Sequence, residues 1–368
     1  MDKKQNYERY VRILKHVAEN FNTRDKITSI QPHGNGLMNK TFLITTQSNQ
    51  KYIIQQISKN LGDIDKLMRN VSNITEFILC QNKKTLKLVK TKNGKNYIKL
   101  NNSCFRMFEY IDGKVYDTIN DVTSFEKAGI AFAEFAKALE NFDVNKIHVT
   151  MPDFHNTLKR YENFLHAIKN GNKQRIIKAK PQIDFLIANN IYIEKIEQLI
   201  STGLKERIIH GDTKINNVIF NNDEVYVIDF DTIMKSYLCY DFGDAIRSGC
   251  NTAKEDAPEK SVSFNLNNYS AFAKGYLSVW KNLSKIELDS LVIAPQLVTY
   301  ELALRFLTDY LQNDIYFNIK TPEDNLIRTK NQIALLNQME KNKVFMKDLL
   351  YKYNNITLKK NNDFDMQL

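Results

Sequence analysis

The sequence predicts an α+β protein of two lobes, a small antiparallel β-rich N-lobe followed by a large helical C-lobe. Its 368 residues exceed one typical domain and fall short of several. Short alternating segments separated by turn signals crowd into the first third of the chain, which is the mark of antiparallel strands. From Val122 onward apolar residues recur at helical spacing almost without a break. Residues 1–108 are therefore assigned to the β-rich lobe, 109–353 to the helical lobe and 354–368 to a polar, frayed tail.

The elements follow in order. Residues 7–20 (YERYVRILKHVAEN) carry a helical stripe, and strands are expected at 28–33, 41–46 and 51–57, with Gly34-Asn35-Gly36 between the first two. A helix over Ile64–Leu79 leads to a lysine-rich hairpin turning at Asn93-Gly94, and then to a strand that begins the segment CFRMFEYIDG at 104–113. Helices are predicted at 122–141, 155–170, 182–202, 265–281, 286–312 and 322–351. A single β island interrupts them, made of RIIH, NVIF and VYVIDF between 207 and 230.

Composition narrows the function. With 43% hydrophobic and 26% charged residues the chain has material for a core and is unlike a disordered chain. No stretch approaches the roughly 18 uninterrupted apolar residues of a membrane helix, and the N-terminus lacks a secretory apolar run, so a cytoplasmic protein without a membrane partner is expected. Cys80, Cys104, Cys239 and Cys250 form no CxxC pair, and of the six histidines only His210 sits in a motif, the other five reading as structural or surface residues. Any metal must then be held by oxygen. The net charge of +10 invites a nucleic-acid reading, but the dense cluster Lys83, Lys84, Lys87, Lys90, Lys92, Lys95 and Lys99 falls on the hairpin, where lysines are solvated. No nucleic-acid partner is expected.

The chemistry concentrates in IIHGDTKINNVIFNNDEVYVIDFD, residues 208–231. A phosphoryl-transfer site of the kinase type needs an Asp on a loop to accept a hydroxyl proton, an Asn five positions later to hold Mg²⁺, and an Asp at the end of a following strand to complete the metal cradle. Asp212, Asn217 and Asp229 supply that pattern, and Lys214 stands where an ammonium meets the γ-phosphate of ATP or, alternatively, forms a surface ion pair. Asp241-Phe242-Gly243 spells a similar metal triplet, yet it lies twenty-four residues past Asn217 and opens a helix, so Asp241 reads as a tie between that helix and the loop. Only eleven residues separate Asp229 from Asp241, too few for a peptide platform, and Gly211 replaces the Arg that would answer an activating phosphate. The acceptor is expected to be a small molecule.

The HGDxxxxN loop resembles that of the aminoglycoside phosphotransferase and choline kinase superfamily, relatives of the protein kinases. The resemblance implies a protein-kinase-like two-lobe fold with ATP and Mg²⁺ as cofactors, the first lobe covering the nucleotide. In that frame Gly34, Asn35 and Gly36 make a phosphate-covering turn or only a hairpin, Gln55 occupies the third-strand position usually held by a phosphate-binding Lys, and Glu109 and Ile111 form either the hinge whose backbone reads adenine or a simple interlobe linker without ligand contacts. Arg69 or Lys40 would compensate for the neutral Gln55; Asn39 reaches phosphate, sugar or plain structure.

Further stretches resemble the N-acetylhexosamine 1-kinases: PHGNGLMNKTFLI, KYIIQQI, LMRNVSNIT, HGDTKINNVIF, VIDFDT, YDFGDAIRS and ELALRFLTDYLQNDIYF, spanning about residues 31–317. This likeness implies phosphorylation of N-acetylglucosamine or N-acetylgalactosamine at the anomeric hydroxyl to give the sugar 1-phosphate. Asp231 is then either a ligand of ring hydroxyls or a support for the site, while Arg305 and Tyr316 offer the sugar a donor and a ring face, or else a salt bridge and a core aromatic. The alternatives are a kinase for a choline-, homoserine- or aminoglycoside-type acceptor and a non-catalytic nucleotide-binding protein.

Overall fold

A computed structural model describes residues 3–34, 39–119, 121–222, 224–281 and 283–354. Asn35, Gly36 and most of the tail predicted at 354–368 lie outside these residues. The architecture is the expected α+β one, with a small antiparallel sheet and a large helical region, as in protein kinases. Two compact units form. One comprises the described residues up to Val115 with Asn141–Pro152 and Ile219–Met234; the other takes the remainder.

In the first unit, β1 (Ile27–Pro32), β2 (Lys40–Thr46), β3 (Lys51–Ile57), β4 (Ile98–Leu100) and β5 (Ser103–Glu109) build a sheet in the order β1-β2-β3-β5-β4, each neighbouring pair antiparallel. Alternate residues of β2 and β3 turn inward: Phe42, Ile44, Tyr52 and Ile54 meet Phe105 and Met107 of β5 and are covered by Leu14, Val17 and Ala18 of α1 (Lys3–Ala18). Helix α2 (Ile64–Leu79) has the predicted bounds, because the Asp63 carboxylate caps it by accepting from the N–H groups of Asp65 and Lys66.

The lysine segment departs from the expected hairpin. The turn is present, with Gly94 N–H donating to the Thr91 carbonyl at 2.8 Å, but the two arms pair in series with β5 rather than with each other. Residues around Leu88 bridge to Phe108, and β4 pairs with the start of β5. A strand edge of β5 with unpaired backbone groups is a better partner for each arm than the other arm, since it also buries Leu86 and Val89. Lys84, Lys87, Lys90 and Lys99 face the carboxylates of Glu224, Glu109, Glu76 and Asp65, which offsets part of the cluster's charge.

The second unit is helical: α3 (Val122–Ala138), α4 (Thr157–Asn170), α5 (Lys173–Lys178), α6 (Lys180–Ala188), α7 (Ile191–Ser201), α8 (Leu238–Gly249), α9 (Leu266–Val279), α10 (Lys285–Leu311) and α11 (Asp324–Tyr353). The helix predicted over 182–202 is in fact two, parted at Asn189-Asn190, where the Asn189 amide donates to the Phe185 carbonyl and competes with the helical ladder. Ser284 and Glu287 form a reciprocal cap that starts α10. By length and composition α10 is apolar enough to cross a membrane, but 72% of its most apolar window is buried within the protein. It is the axis on which α4, α7, α8 and α11 pack.

Helices α8 and α10 touch at Gly243, where an added Cβ would sit 2.5 Å from the Ala294 carbonyl oxygen. Gly243→Ala must push the two backbones apart. It is expected to cost about 1–3 kcal/mol, read as a lower urea midpoint than wild type.

Candidate active site

The loop after the short strand Arg207–Ile209 is held from three sides, all within the helical unit. Gly211 adopts φ +81°, a left-handed conformation that suits glycine and turns the chain sharply before Asp212. The Asp241 carboxylate of α8 accepts from the N–H groups of His210 at 2.8 Å and Gly211 at 2.7 Å, so this aspartate does tie the helix to the loop. One turn along α8, Asp244 accepts from the Thr213 N–H at 3.1 Å, and the Thr213 hydroxyl donates to the Asp241 carbonyl. His210 is fully buried, edge-on to Phe132 and Phe135 of α3. Arg247 is spent on Asp244 and Glu255.

Asp212 emerges from this frame with its side chain 26% exposed and its Oδ1 2.8 Å from Lys214 Nζ. Burial pushes the Asp212 carboxyl up, but Lys214, with His210 and Arg247 behind it, outweighs burial and holds it below the usual carboxylate range. The carboxylate is therefore ionised at neutral pH. Asn217 Nδ2 donates to the Asp212 carbonyl at 2.7 Å, which commits one end of the amide and leaves Oδ1 as its remaining acceptor. Asp212, Lys214 and Asn217 are thus gathered as the motif spacing required; the ion pair open to Lys214 in the sequence is formed.

Asp229 belongs to the sheet-bearing unit, at the end of the hairpin Val218–Asn221 and Glu224–Val227, and has φ +64°, a left-handed conformation that Asp tolerates better than most residues. Two residues on, Asp231 is 4% exposed. The sequence offered it to substrate hydroxyls or to a supporting role, and the structure commits both its oxygens to protein. Arg106 of β5 donates to Oδ1 and, at 2.9 Å, to Oδ2, while Asn39 Nδ2 donates to Oδ2 at 2.6 Å. Asn39 Oδ1 accepts from the Ser58 N–H at 2.9 Å, which settles its structural duty.

Gln55, expected to contact nucleotide, is taken up in the same cluster. Its Oε1 accepts from Arg106 Nε at 2.9 Å and its Nε2 donates to the Thr41 hydroxyl at 3.2 Å. The sequence looked for a compensating cation in Arg69 or Lys40; Arg69 is exposed and Lys40 lies over the Tyr10 ring. Arg106, directly opposite Gln55 in the β3–β5 register, is the cation that stands at this position, and sequence inspection missed it because its only signal is cross-strand register. At the hinge, the Glu109 N–H already donates to the Lys87 carbonyl, so only its carbonyl can face a base, whereas the Ile111 N–H meets no protein acceptor among the described residues. Gly34, at the edge of the described loop, has φ +72° as a turn demands.

Arg305 and Tyr316 are brought together. The guanidinium lies 5.8 Å from the Tyr316 ring and 5.1 Å from that of Phe154, beside a cavity of about 300 Å³ that Arg160 also lines. Tyr316 is 65% exposed, so it is a surface ring and no part of the core. Its loop is pinned by Asp309, whose oxygens accept from the N–H groups of Tyr316 and Phe317 and from Asn325. No carboxylate pairs directly with Arg305 among the described residues. His155, one of the five histidines read as structural or surface residues, is buried between the Gly211 turn on one side and α10 on the other.

The Arg106–Asp231 pair predicts a specific stability pattern. Removing one partner leaves a buried charge alone, at about 3–5 kcal/mol, whereas replacing both with apolar residues removes the penalty. Arg106→Met should therefore lower the unfolding midpoint far more than the double variant Arg106→Met/Asp231→Leu, as measured by urea denaturation.

A model of the phosphotransferase enzyme family designated APH matches residues 29–270. Solved structures share the fold. An aminoglycoside phosphotransferase from Alicyclobacillus acidocaldarius aligns with a TM-score of 0.65 at 15% identity, over 93% of this chain and 96% of its own. An amicoumacin kinase in complex with AMP-PNP, Ca²⁺ and Ami gives 0.57 at 14% identity, over 90% and 96%. Plasmodium vivax ethanolamine kinase gives 0.55 at 15% identity, over 83% and 82%. With the family model covering about two thirds of the chain, including the Asp212–Asn217 loop and Asp229, the protein belongs to the phosphotransferase enzyme family and is an ATP-dependent small-molecule kinase by class.

Proposed function

We propose that this kinase transfers the γ-phosphoryl group of ATP to the anomeric hydroxyl of an N-acetylhexosamine, N-acetylglucosamine or N-acetylgalactosamine, giving the sugar 1-phosphate. The single observation that carries the choice of acceptor class is the charge of the cavity beside Arg305. Two guanidinium groups, Arg160 and Arg305, line it, and the nearby carboxylates are occupied, Asp309 by backbone N–H groups and Glu301 by His155 and Thr157. Such a wall repels an ammonium and suits a neutral polyol bearing acceptors, as an acetamido carbonyl and ring hydroxyls do. The exposed Tyr316 ring adds a face on which a sugar can stack.

The ionised Asp212 acts as base. It accepts a hydrogen bond from the acceptor hydroxyl, that oxygen forms a bond to the γ-phosphorus as the bond to the β–γ bridging oxygen breaks, and the proton passes to the Asp212 carboxylate as ADP departs. Lys214 keeps the carboxylate charged and presents positive charge to the phosphates. Asn217 Oδ1, in the helical unit, and the Asp229 carboxylate, in the sheet-bearing unit, are hard oxygen donors of the kind Mg²⁺ takes; they are the residues that would hold it, and the ion would supply neutralisation of phosphate charge. Among the described residues no three His, Cys, Asp or Glu side chains gather closely enough to hold a metal by themselves. The Ile111 N–H and Glu109 carbonyl supply the donor and acceptor for a base edge. Four free cysteines and dependence on ATP suit a reducing cytoplasm.

A second reading, a kinase for an amine-bearing alcohol, draws on the names of the similar structures, which include aminoglycoside, ethanolamine and choline kinases. An assay with ATP and Mg²⁺ over N-acetylhexosamines, free hexoses, choline, ethanolamine, homoserine and aminoglycosides separates the two. An acid-labile phosphate on an acetylated sugar supports the first; turnover of the amines with none of the sugars rejects it. Asp212→Asn should bind ATP as wild type does yet lose about 10²–10⁴ in kcat.

The depressed Asp212 carboxyl also fixes a pH expectation. Its folded value lies below the ordinary aspartate range, so the base stays charged and its acid limb in kcat falls below about pH 4. In Lys214→Met the attraction is gone while burial remains, and the limb should move above about pH 4, seen in a pH profile of kcat at saturating ATP.

A further inference from the structure

His155 is buried, and both of its ring nitrogens face acceptors. Nδ1 lies 3.1 Å from Glu301 Oε1 of α10, and Nε2 lies 3.1 Å from the Gly211 carbonyl oxygen, one residue before Asp212. A neutral imidazole has one N–H and would aim its lone pair at one of these oxygens; only the doubly protonated ring donates to both. The ring is clamped in place by stacking on Tyr240 of α8, with centroids 4.8 Å apart and planes 19° from parallel, and by the edge of Phe154. Thr157 donates to the other Glu301 oxygen at 2.7 Å, so the carboxylate cannot swing away.

We propose that His155 is a positioning residue that works as a buried imidazolium, donating from both nitrogens at once to anchor the Gly211 carbonyl and so fix the turn from which Asp212 projects. This rests on the reading of Asp212 as the base. The groups facing the ring are Glu301 from α10, the more distant carboxylates of Asp241 and Asp244 from α8, the phenol of Tyr240, and the Gly211 carbonyl from the loop. Arg305, four residues past Glu301, and Arg160 of α4 lie near the same carboxylate and are the cations that oppose a charged ring. Burial works against the charge, but Glu301, Asp244 and the Gly211 carbonyl outweigh it and raise the imidazole above its ordinary value.

The sign follows from that direction. A histidine raised on folding gives its full stabilisation below the ordinary value of about 6.5 and loses it as pH rises through the folded value. Gly211 is therefore held from both faces while the ring is charged, its N–H by Asp241 and its carbonyl by His155, and the second hold weakens as pH rises through the folded value. Glu301 shares a helix face with Arg305, which lines the proposed acceptor cavity, so the carboxylate that charges His155 lies one helical turn from a residue of that cavity.

The test uses the full chain labelled with ¹³C,¹⁵N-histidine and ¹³C-glycine, with His155 assigned by loss of its signals in His155→Gln. Both nitrogens are expected to be protonated at pH 7, the ring to titrate above 6.5, and the Gly211 carbonyl shift to follow that titration; Glu301→Gln should lower the midpoint. A singly protonated ring at pH 7, or a Gly211 carbonyl that ignores the titration, overturns the proposal whatever the enzyme phosphorylates. In turnover, wild type should lose kcat in alkali with the same midpoint. His155→Gln should lose that limb, with kcat down about 10- to 100-fold and KM for ATP little changed; a wild-type profile and kcat in the variant overturn it. If Asp212→Asn stays active while the histidine titrates as described, the base assignment fails and the anchor stands.

Discussion

A loop that must deliver a charged side chain to a reaction cannot hide its own backbone without partners for every N–H and C=O. Here the turn at His210-Gly211 lies in the interior of the helical unit, and one carboxylate, Asp241, receives two successive N–H groups from it. The direction of Asp212 is set by that pair of bonds. Without them two buried donors would be orphaned, at about 1–3 kcal/mol each, and the loop would seek water. Asp244 and the Thr213 hydroxyl extend the same register to the next residue, so α8 serves as a template read by three residues of the loop.

The same solution recurs in the sheet-bearing unit. Arg106 reaches from β5 to Asp231, Asn39 closes the carboxylate from just before β2, and Gln55 of β3 accepts from the Arg106 Nε–H. Three adjacent strands thus converge on a residue two positions after Asp229. A bidentate Arg–carboxylate pair is directional as well as strong, so it fixes the chain segment and not merely its proximity. Asp212 and Asp229 are both half-buried, and each has a buried neighbour in sequence tied to the rest of its own unit: Gly211 beside Asp212, and Asp231 two residues after Asp229.

Gly211 shows how economical this is. Its left-handed φ makes the turn, its N–H meets Asp241, and its carbonyl meets His155. Beyond His155 the network runs through Glu301 to the helix face carrying Arg305. The cavity beside Arg305 and the loop bearing Asp212 are therefore both served by one helix, α10, whose apolar length is consumed in packing against α4, α7, α8 and α11.

Spacing made much of this legible in advance. Helix α2 was readable as an amphipathic stripe, which Asp63 caps, and the grouping of Asp212 with Asn217 and the tie from Asp241 follow from offsets short enough for one loop or one helix turn to impose. The lysine arms misled because alternation marks a strand without naming its partner, and the 182–202 stripe misled because two asparagines compete with a ladder that periodicity alone does not see. Arg106 and Asp231 are 125 residues apart, Glu301 and His155 are 146 apart, and nothing in either local segment announces the other. The sequence by itself determined which chemical groups are present and how neighbouring ones are ordered, since local geometry depends on a few consecutive dihedral angles. Which distant charges meet, and therefore which side chains are free to act and which are spent holding others, was decided only by tertiary packing, because burial makes a charge choose a partner and burial is a property of the folded chain.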